Sequence, residues 1–382
     1  MALILLLHLS VLSSLAAEPG RKFRAGAATS NITPRLGISI NGSMADRKAG
    51  HIHDELHARC LVLDDGQTTL AIAVCDSVAI SREVVDEAKR IASEASGIPV
   101  DHILVSATHS HSCGAATSVF SSDADPEYQK FLSLRIADGI RRARNNLELA
   151  RIGWASGSVP GQVFNRRWRM RPGVPLPNPL GGFDQVKMNP GIGNPNLLEP
   201  AGPTDPAVPL ISVQSPEGRP IALLANYSLH YVGGTGPGHI SADYFSAFCD
   251  RLQELLQADR LDPPFVPMMS NGASGDINNI NFRAPAPKRK PYEKIREVAD
   301  EVATEVLRVC KSLEYRDWVP LGARRQELTL GVRRPDRAEL DRAREILAAA
   351  DGRALNGPHE VYAHETVLMS EYPPQVPVIV QA

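Results

Sequence analysis

Along most of the chain, short apolar runs alternate with longer segments whose apolar residues recur every three or four positions. The short runs have the length of strands, and the longer segments have the period of helices. Strands and helices in alternation predict an α/β fold, with mixed β-sheets sandwiched by outer helices. The predicted strands are Leu61–Leu63, Thr69–Val74, His102–Ala107, Val208–Val213, Pro220–Tyr227, Arg324–Val332 and Val376–Val380, and the predicted helices are Ser81 to about Gly97, Tyr128–Leu147, Tyr244–Leu256, Glu293–Val309 and Arg337–Ala349.

The segment from Arg169 to Pro206 interrupts this pattern, because it is crowded with proline, glycine and asparagine. A connection of this length in a compact domain is usually a lid, a binding loop or a linker. The rest of the chain shows no internal repeat and no strong linker. A single domain is therefore the simplest interpretation of the pattern.

The N-terminus has the form of a secretory signal peptide. An apolar run, Ala2–Leu15, precedes the small residues Ala16 and Ala17, where cleavage is expected. No lysine or arginine precedes the run, so an uncleaved membrane anchor stays open as the alternative. We predict a signal peptide over residues 1–17 and a mature domain over residues 18–382, located outside the cell or in a periplasm.

Composition narrows the function classes. The formal net charge is −2 and no basic stripe is present, which argues against a nucleic-acid-binding protein. The five cysteines form no CxxC pair, so a thiolate zinc site is not expected. Buried free thiols are favoured over disulfides. Cys113 differs from the other four, because it follows a pair of histidines and is expected to line a site.

The sharpest local signal is ATHSHS at residues 107–112, directly after the apolar run Ile103–Val105. Side chains alternate along an extended strand, so His109 and His111 are expected on the same face. Imidazole nitrogen is a zinc ligand, and α/β sheets collect ligands at the carboxyl ends of their strands. Two histidines in a loop are as often held by backbone or water, so both interpretations stay open.

A second apolar strand also ends in a histidine, His230, within ANYSLHY at residues 225–231. The glycine-rich stretch over residues 233–238 is not a phosphate loop, because no lysine followed by serine or threonine comes after it. It leads to His239 and to Asp243, which is expected either to cap the next helix or to take part in a site.

The sequence NGASGDINN at residues 271–279 follows the apolar run Phe265–Met269. Its amides and backbone N–H groups suit an oxyanion pocket. Its glycines do not have the offsets of a GxSxG nucleophile elbow around Ser274. Asp276 is open to two interpretations, a site residue or a turn-former.

Two further signals concern charged side chains. In FNRRWR at residues 164–169, Arg166 or Arg167 is expected to orient a substrate oxygen, or one arginine stacks on Trp168 in a surface cluster. Asp76 ends the strand Thr69–Val74, and an acid there is a candidate hydrogen-bond partner behind a metal-bound histidine.

Together these loops resemble the neutral, non-lysosomal ceramidases. ATHSHS is similar to the family's His-Thr-His-Ser motif, and ANYSLHY resembles the strand whose histidine completes the family's zinc pair. FNRR resembles the Asn-Arg-Ser-Pro motif, and NGASGDINN resembles the Gly-Asp-x-Ser-Pro-Asn loop. The segments over residues 26–34 and 53–59 fit as well. These motifs follow the family's order over nearly the whole mature chain.

The resemblance implies roles for individual residues. It makes His109 and His230 zinc ligands, and it gives His111 and Arg166 roles toward the substrate or the transition state. It also places Asp276 and Asn278 in the polar loop of the site.

Two departures from the family set further expectations. Asn278 stands where the family has the serine assigned as its nucleophile. The family's other zinc ligands, a Glu and a Tyr, are expected beyond Ala382, in a loop that would follow the terminal run Val376–Val380. No counterpart of the family's immunoglobulin-like C-terminal domain is expected within residues 18–382. We therefore predict a chain incomplete at its C-terminus, with a weak or half-built zinc site.

From these signals we expect a secreted, zinc-dependent hydrolase that cleaves a ceramide-like N-acyl amide, or a related bond, with metal-activated water. The substrate is then a small-molecule or lipid amide, no nucleic acid is involved, and contact with a membrane surface stays open. The aromatic content of 5% and the polar loops do not suggest an apolar tunnel. Two alternatives remain: a metal-dependent esterase or amidase on a polar carbohydrate or peptide-like substrate, and a secreted binding module with a decayed site. The oligomeric state is not determined.

Overall fold

The structure, a computed structural model, describes residues 21–285 and 287–382, so the expected signal peptide lies outside the described residues. Among the described helices, none combines the length and apolar character that crossing a membrane requires. The helices are α1 (Arg82–Ser96), α2 (Pro126–Asn145), α3 (Asp243–Leu256), α4 (Glu293–Cys310), α5 (Arg337–Ala350) and α6 (Gly357–Glu371). The strands are β1 (Arg24–Asn31), β2 (His51–Ile52), β3 (His57–Asp64), β4 (Thr69–Cys75), β5 (Ile103–Ala107), β6 (Glu148–Leu149), β7 (Arg151–Ser158), β8 (Phe164–Asn165), β9 (Arg167–Met170), β10 (Lys187–Met188), β11 (Leu197–Pro200), β12 (Ala207–Gln214), β13 (Pro220–Tyr227), β14 (His239–Ile240), β15 (Val266–Asn271), β16 (Ile277–Asn278), β17 (Arg325–Gly331) and β18 (Gln375–Gln381).

Two mixed sheets form the centre of the fold. The first has the strand order β5-β4-β3-β1-β6, and the second has the order β15-β13-β12-β7. Each sheet contains one parallel pair at its edge, β4 with β5 and β13 with β15, while its other pairs are antiparallel. The carboxyl ends of a parallel pair lie side by side, which is where α/β sheets gather ligands.

Three apolar clusters show how the layers stack. One cluster fills the space between the first sheet and helices α1 and α2. A second lies between the inner faces of the two sheets, and includes Leu61, Val213 and Met268. The third packs the second sheet against α3 and α4. The layers therefore follow the order helix, sheet, sheet, helix, which confirms the predicted mixed sheets sandwiched by outer helices.

The periodic segments fold as expected, with small shifts at their ends. The predicted hairpin is the antiparallel pair β3 and β4. Helix α1 ends at Gly97, whose φ of 74° allows its N–H to cap the carbonyl of Ser93. The terminal run forms β18, which pairs with β17 over seven positions.

All five cysteines are free thiols; Cys60, Cys75, Cys113 and Cys249 are buried, and Cys310 is half-buried. The expectation of buried free thiols is confirmed for Cys60, Cys75 and Cys249. The role expected for Cys113 is wrong, because its side chain is 0% exposed and its Sγ faces the carbonyl oxygen of Ser241. It packs in the core beneath the histidine loop and does not line a site.

Candidate metal centre

Three imidazoles meet between the ends of the two sheets. The ring centroids of His109 and His230 lie 4.6 Å apart, those of His109 and His111 4.7 Å, and those of His111 and His230 5.1 Å. One nitrogen from each ring lies within 4.8 Å of the other two. The prediction that His109 and His230 converge is therefore confirmed.

Hydrogen bonds from the far side of each ring fix its orientation. The Nδ1 atoms of His109, His111 and His230 lie 2.8, 2.8 and 3.0 Å from the backbone carbonyl oxygens of Val78, Gly42 and Ser274. A carbonyl oxygen only accepts, so each Nδ1 carries the proton and donates it. Each Nε2 then keeps its lone pair, which is the tautomer that a metal requires.

The two parallel strand pairs supply this arrangement in the same way. His109 follows β5, and its Nδ1 donates to Val78, which follows the neighbouring strand β4. His230 follows β13, and its Nδ1 donates to Ser274, which follows the neighbouring strand β15. Each histidine is thus tied to the loop of the adjacent parallel strand.

The backbone at His109 differs from the extended strand that the sequence pattern assumes. Its φ is 68°, in the left-handed region, and its N–H donates to the carbonyl oxygen of Ser77 at 2.8 Å. His109 and His111 do face the same point, but the cause is this turn and not strand alternation. Their Nε2 atoms lie 3.1 Å apart. Two ligands of one tetrahedral zinc ion lie about 3.3 Å apart, from zinc–nitrogen bonds of about 2.0–2.1 Å.

Two residues that the sequence analysis missed hold His111. Gly42 has a φ of 101°, and a Cβ at this position would lie 2.5 Å from Cγ of His111. On the other side, the ring of Tyr231 stacks on His111, with centroids 3.9 Å apart and planes at 17°. The sequence does not show that Gly42 lies next to His111. For Tyr231, its position directly after His230 is a sequence signal that it lies near the site.

The site environment keeps the imidazoles of His111 and His230 neutral. Burial lowers the pKa of His111 to about 3, with the charge of His109 acting in the same direction. Burial lowers the pKa of His230 to about 4, and the positive charge of Arg166 adds to this effect. At neutral pH both rings are unprotonated at Nε2. Three converging imidazoles, each oriented through its Nδ1, are a donor set that could bind one metal ion.

The arginine predicted for the site lies beside this triad. Arg166 is half-buried, and its Nε and Nη2 donate to the carbonyl oxygen of Gly275 at 3.1 and 2.6 Å. Burial lowers the pKa of Arg166, and the nearby groups of Tyr231, Asp276 and Tyr362 oppose this effect. The arginine that stacks on Trp168 is Arg283, so neither Arg166 nor Arg167 has that role.

The polar loop after β15 packs directly behind the site. Ser274 and Gly275 contribute the carbonyl oxygens that hold His230 and Arg166. The side chain of Asp276 accepts a hydrogen bond from Asn165 at 2.8 Å. Asn278 is nearly buried, donates to Asn189 at 3.1 Å and accepts from the backbone N–H of Ile280 at 2.9 Å. The catalytic roles implied for Asp276 and Asn278 stay predictions.

A scan against protein-family models and a search of curated proteins give no match. Among solved structures, the neutral ceramidase from Pseudomonas aeruginosa superposes with a TM-score of 0.66 at 16% identity, over 95% of this chain and 61% of the ceramidase. A ceramidase complexed with C2 superposes with a TM-score of 0.62 at 18% identity, over 84% of this chain and 48% of that one. The chain has a neutral ceramidase-like fold.

The chain spans about half to three fifths of the length of these two ceramidases. At 16–18% identity the similarity establishes the fold. Residue roles in this neutral ceramidase-like chain therefore depend on the geometry of its own side chains.

Neither aspartate proposed from the sequence contacts the triad. Asp76 is buried and pairs with Arg59 at 2.7 Å, so it does not stand behind a metal-bound histidine. Asp243 does not cap α3 with its side chain, because it is the first helical residue. Its carboxylate accepts hydrogen bonds from the backbone N–H groups of Val232 and Gly233 instead. It thereby fixes the segment that leaves His230.

Within this neutral ceramidase-like fold, an apolar cavity of about 300 Å³ lies between α5, α6 and three loops. Tyr362 in its wall is close enough to Arg166 to affect the pKa of that residue. Phe120, from the segment that follows His111, packs edge-on against Tyr362 at 6.2 Å. The cavity therefore borders the region of the metal centre. Its other apolar lining residues are Pro179, Leu180, Pro335, Ala343, Ile346, Ala363 and Met369.

Proposed function

We propose that this chain is a secreted, zinc-dependent hydrolase that cleaves a ceramide-like N-acyl amide. One observation carries the proposal: three imidazoles converge through Nε2 while a backbone carbonyl holds each Nδ1. The neutral ceramidase-like fold supports the reaction class. The proposed signal peptide supports secretion, and sequencing of the mature N-terminus near Glu18 tests that part.

The three histidines hold the ion. His109 and His230 are the ligands implied by the family resemblance, and the geometry favours His111 as a third donor. When bound, zinc lowers the pKa of water and polarises the substrate carbonyl. Catalytic zinc sites use three protein ligands and keep one open position. A third histidine therefore makes a zinc site complete without ligands from any further segment.

Arg166 is suited to bind the substrate. Two of its nitrogens are fixed on the carbonyl oxygen of Gly275, so the guanidinium has one orientation next to the triad. Its Nη1 then remains to donate to a developing negative charge on the substrate oxygen. Tyr231 holds His111 in place by stacking.

The attacking oxygen comes from water. An asparagine cannot form an acyl-enzyme, and both polar atoms of Asn278 are engaged with Asn189 and Ile280. Asp276, hydrogen-bonded to Asn165, joins the loop of Arg166 to the loop that holds His230. These contacts give Asp276 and Asn278 positioning roles.

The apolar cavity favours a lipid amide over a polar substrate. Composition did not suggest an apolar pocket, yet helices α5 and α6 form one of about 300 Å³ near Arg166. Binding pockets for small molecules are typically about 300–1,000 Å³ and mostly apolar. The cavity is sized for part of a hydrocarbon chain.

The test is hydrolysis by the purified protein, stripped of metal and then reloaded with zinc. The panel contains long-chain and short-chain N-acyl amides, esters, and acetylated sugars and peptides. We expect zinc-dependent cleavage of long-chain amides, lost in His230→Ala. If the protein prefers the polar substrates, it is an esterase or amidase for carbohydrate or peptide-like compounds and not a lipid amidase. Metal binding without any hydrolysis would indicate a binding module.

A further inference from the structure

Three other histidines lie together outside the triad, on the short parallel pair of β2 and β14. His51 and His239 are direct partners in this ladder, and their ring centroids are 4.5 Å apart. His53 follows two positions after His51, with its centroid 6.3 Å from that of His239. His51 and His53 are exposed, and His239 is half-buried. The cluster is therefore accessible from solvent.

Two of these rings are oriented from behind. Nδ1 of His53 lies 2.7 Å from Oδ1 of Asp54, whose other oxygen accepts a hydrogen bond from the N–H of Ala242 at 2.7 Å. Nδ1 of His239 lies 2.7 Å from the hydroxyl of Tyr292, and the ring of Tyr292 stacks on His53 at 3.6 Å. A carboxylate behind an imidazole is the arrangement that typically orients metal-binding histidines. Nε2 of both rings is left for a ligand.

The backbone is also shaped to this cluster. A Cβ on Gly236 would lie 2.4 Å from Cε1 of His239, so glycine is needed for the ring to pack there. The backbone N–H of His51 donates to the carbonyl oxygen of Gly238 at 3.3 Å, and its ring packs against that of His239. The rings of His51 and His239 thus lie side by side on this small patch, with His53 at its edge.

We propose that His51, His239 and His53 form a second binding site for a divalent transition metal, separate from the triad. Two imidazoles on one tetrahedral ion have centroids about 5 Å apart, given metal–nitrogen bonds of about 2.0–2.1 Å. The pair His51 and His239, at 4.5 Å, is close to this value. His53, held by Asp54 and stacked on Tyr292, lies beside this pair. Imidazole donors favour Cu²⁺ over Zn²⁺ in affinity.

The site has a structural consequence for the metal centre. The segment between His230 and His239 contains three glycines with positive φ, Gly233, Gly234 and Gly238. Its Thr235 hydroxyl lies 3.2 Å from that of Ser112, next to His111. An ion joining β2 to β14 fixes the far end of this segment. A metal ion that binds the folded chain and not the unfolded chain raises the thermal stability of the protein.

The experiment separates the two sites. Metal-free His109→Ala/His230→Ala, which lacks two triad donors, is titrated with Cu²⁺ and with Zn²⁺ by calorimetry. We expect one equivalent to bind, more tightly for Cu²⁺, with nitrogen couplings from imidazole in the Cu²⁺ paramagnetic resonance spectrum. Adding His51→Ala and His239→Ala to this variant should remove the binding. As a control, adding His359→Ala, at an exposed histidine on α6, should leave the binding unchanged.

Wild-type protein provides a second measurement that does not need the triad variant to fold. It should bind two equivalents, and His51→Ala/His239→Ala should bind one. The proposal is overturned if His51→Ala/His239→Ala binds as many equivalents as wild type. This difference depends neither on hydrolysis nor on metal binding by the triad, so the proposed function is tested separately.

Discussion

The Nδ1 atom of His230 lies 3.0 Å from the carbonyl oxygen of Ser274, and this hydrogen bond joins the loops of two adjacent parallel strands. The same relationship recurs in the other sheet, where Nδ1 of His109 lies 2.8 Å from the carbonyl oxygen of Val78. Since backbone carbonyls hold the imidazoles, substitutions of the neighbouring side chains cannot remove these hydrogen bonds. The orientation of these two imidazoles is therefore set by the backbone.

The first prediction concerns the number of ligands. All three Nε2 atoms converge, so His111→Ala should weaken zinc binding as severely as His109→Ala or His230→Ala. The loss should exceed the roughly 10–100-fold typical of removing a group behind a ligand. Calorimetric zinc titration of the three metal-free variants checks this. If His111→Ala keeps wild-type affinity but loses turnover, His111 acts on the substrate and is not a ligand.

The second prediction uses the glycine that packs on His111. Gly42→Ala places a Cβ 2.5 Å from the ring, so His111 must move and zinc affinity should fall by about 10–100-fold. Gly37→Ala is the matched control, because Gly37 also has a positive φ, 83°, but faces open space. Both variants should lose roughly 1–2 kcal/mol of unfolding free energy from backbone strain. Equal zinc affinity in the two variants would show that Gly42 does not position His111.

The fold could be predicted from the sequence where periodicity is strong. The helix around Tyr244–Leu256 and the strand Pro220–Tyr227 match α3 and β13 almost residue for residue. Helix α6 was not predicted, because few of its side chains are buried and its apolar residues share no single face. Such a helix depends on packing against α5, which a local pattern does not contain.

The site divides in the same way. Side chains that end apolar strands, such as His109 and His230, could be found because strand ends converge in α/β sheets. The groups that hold them could not, since Val78, Gly42 and Ser274 contribute only backbone carbonyls. Asp76 was chosen as a hydrogen-bond partner because it is a carboxylate at a strand end. In the structure the buried guanidinium of Arg59 takes that carboxylate.

The third prediction separates the ring of Tyr231 from its hydroxyl. Tyr231→Phe keeps the stack on His111 and should keep zinc affinity, whereas Tyr231→Ala removes the stack and should lower affinity. Stacked aromatic pairs contribute roughly 0.5–1.5 kcal/mol, so the loss should be about 2–10-fold. Zinc titration of both variants measures the effect. A Tyr231→Phe variant as weak as Tyr231→Ala would mean that the hydroxyl, and not the ring, holds the site.

The fourth prediction concerns stability against pH. Burial lowers the pKa of His57 from 6.5 to about 4, and the charges of Arg59 and Arg260 add to this effect. Between these values the unfolded chain binds a proton at His57 that the folded chain does not. The free energy of unfolding is therefore unaffected by His57 above pH 6.5. It falls as the pH drops from 6.5 toward 4, by up to about 3 kcal/mol.

His57→Gln should flatten this part of the stability profile, measured by denaturant unfolding at pH 4.5, 5.5 and 7. His359→Gln, at an exposed position, is the control and should follow wild type. The comparison is made as a difference between variants, because other buried histidines contribute over the same pH range. Parallel profiles for wild type and His57→Gln would contradict the assignment.

The last prediction tests whether the cavity binds a hydrocarbon chain. Ala343 and Ala363 line it from α5 and α6, and both side chains are buried. Ala343→Phe fills part of its volume. If this excludes three methylene groups of the acyl chain, at about 0.8 kcal/mol each, kcat/KM for a long-chain amide should fall roughly 50-fold. A short-chain amide, which does not reach the cavity, should be cleaved as before. Ala349→Phe is the control, since Ala349 is exposed on the same helix. Equal losses for long and short chains in Ala343→Phe would show that the cavity supports the fold near Arg166 and does not select the chain.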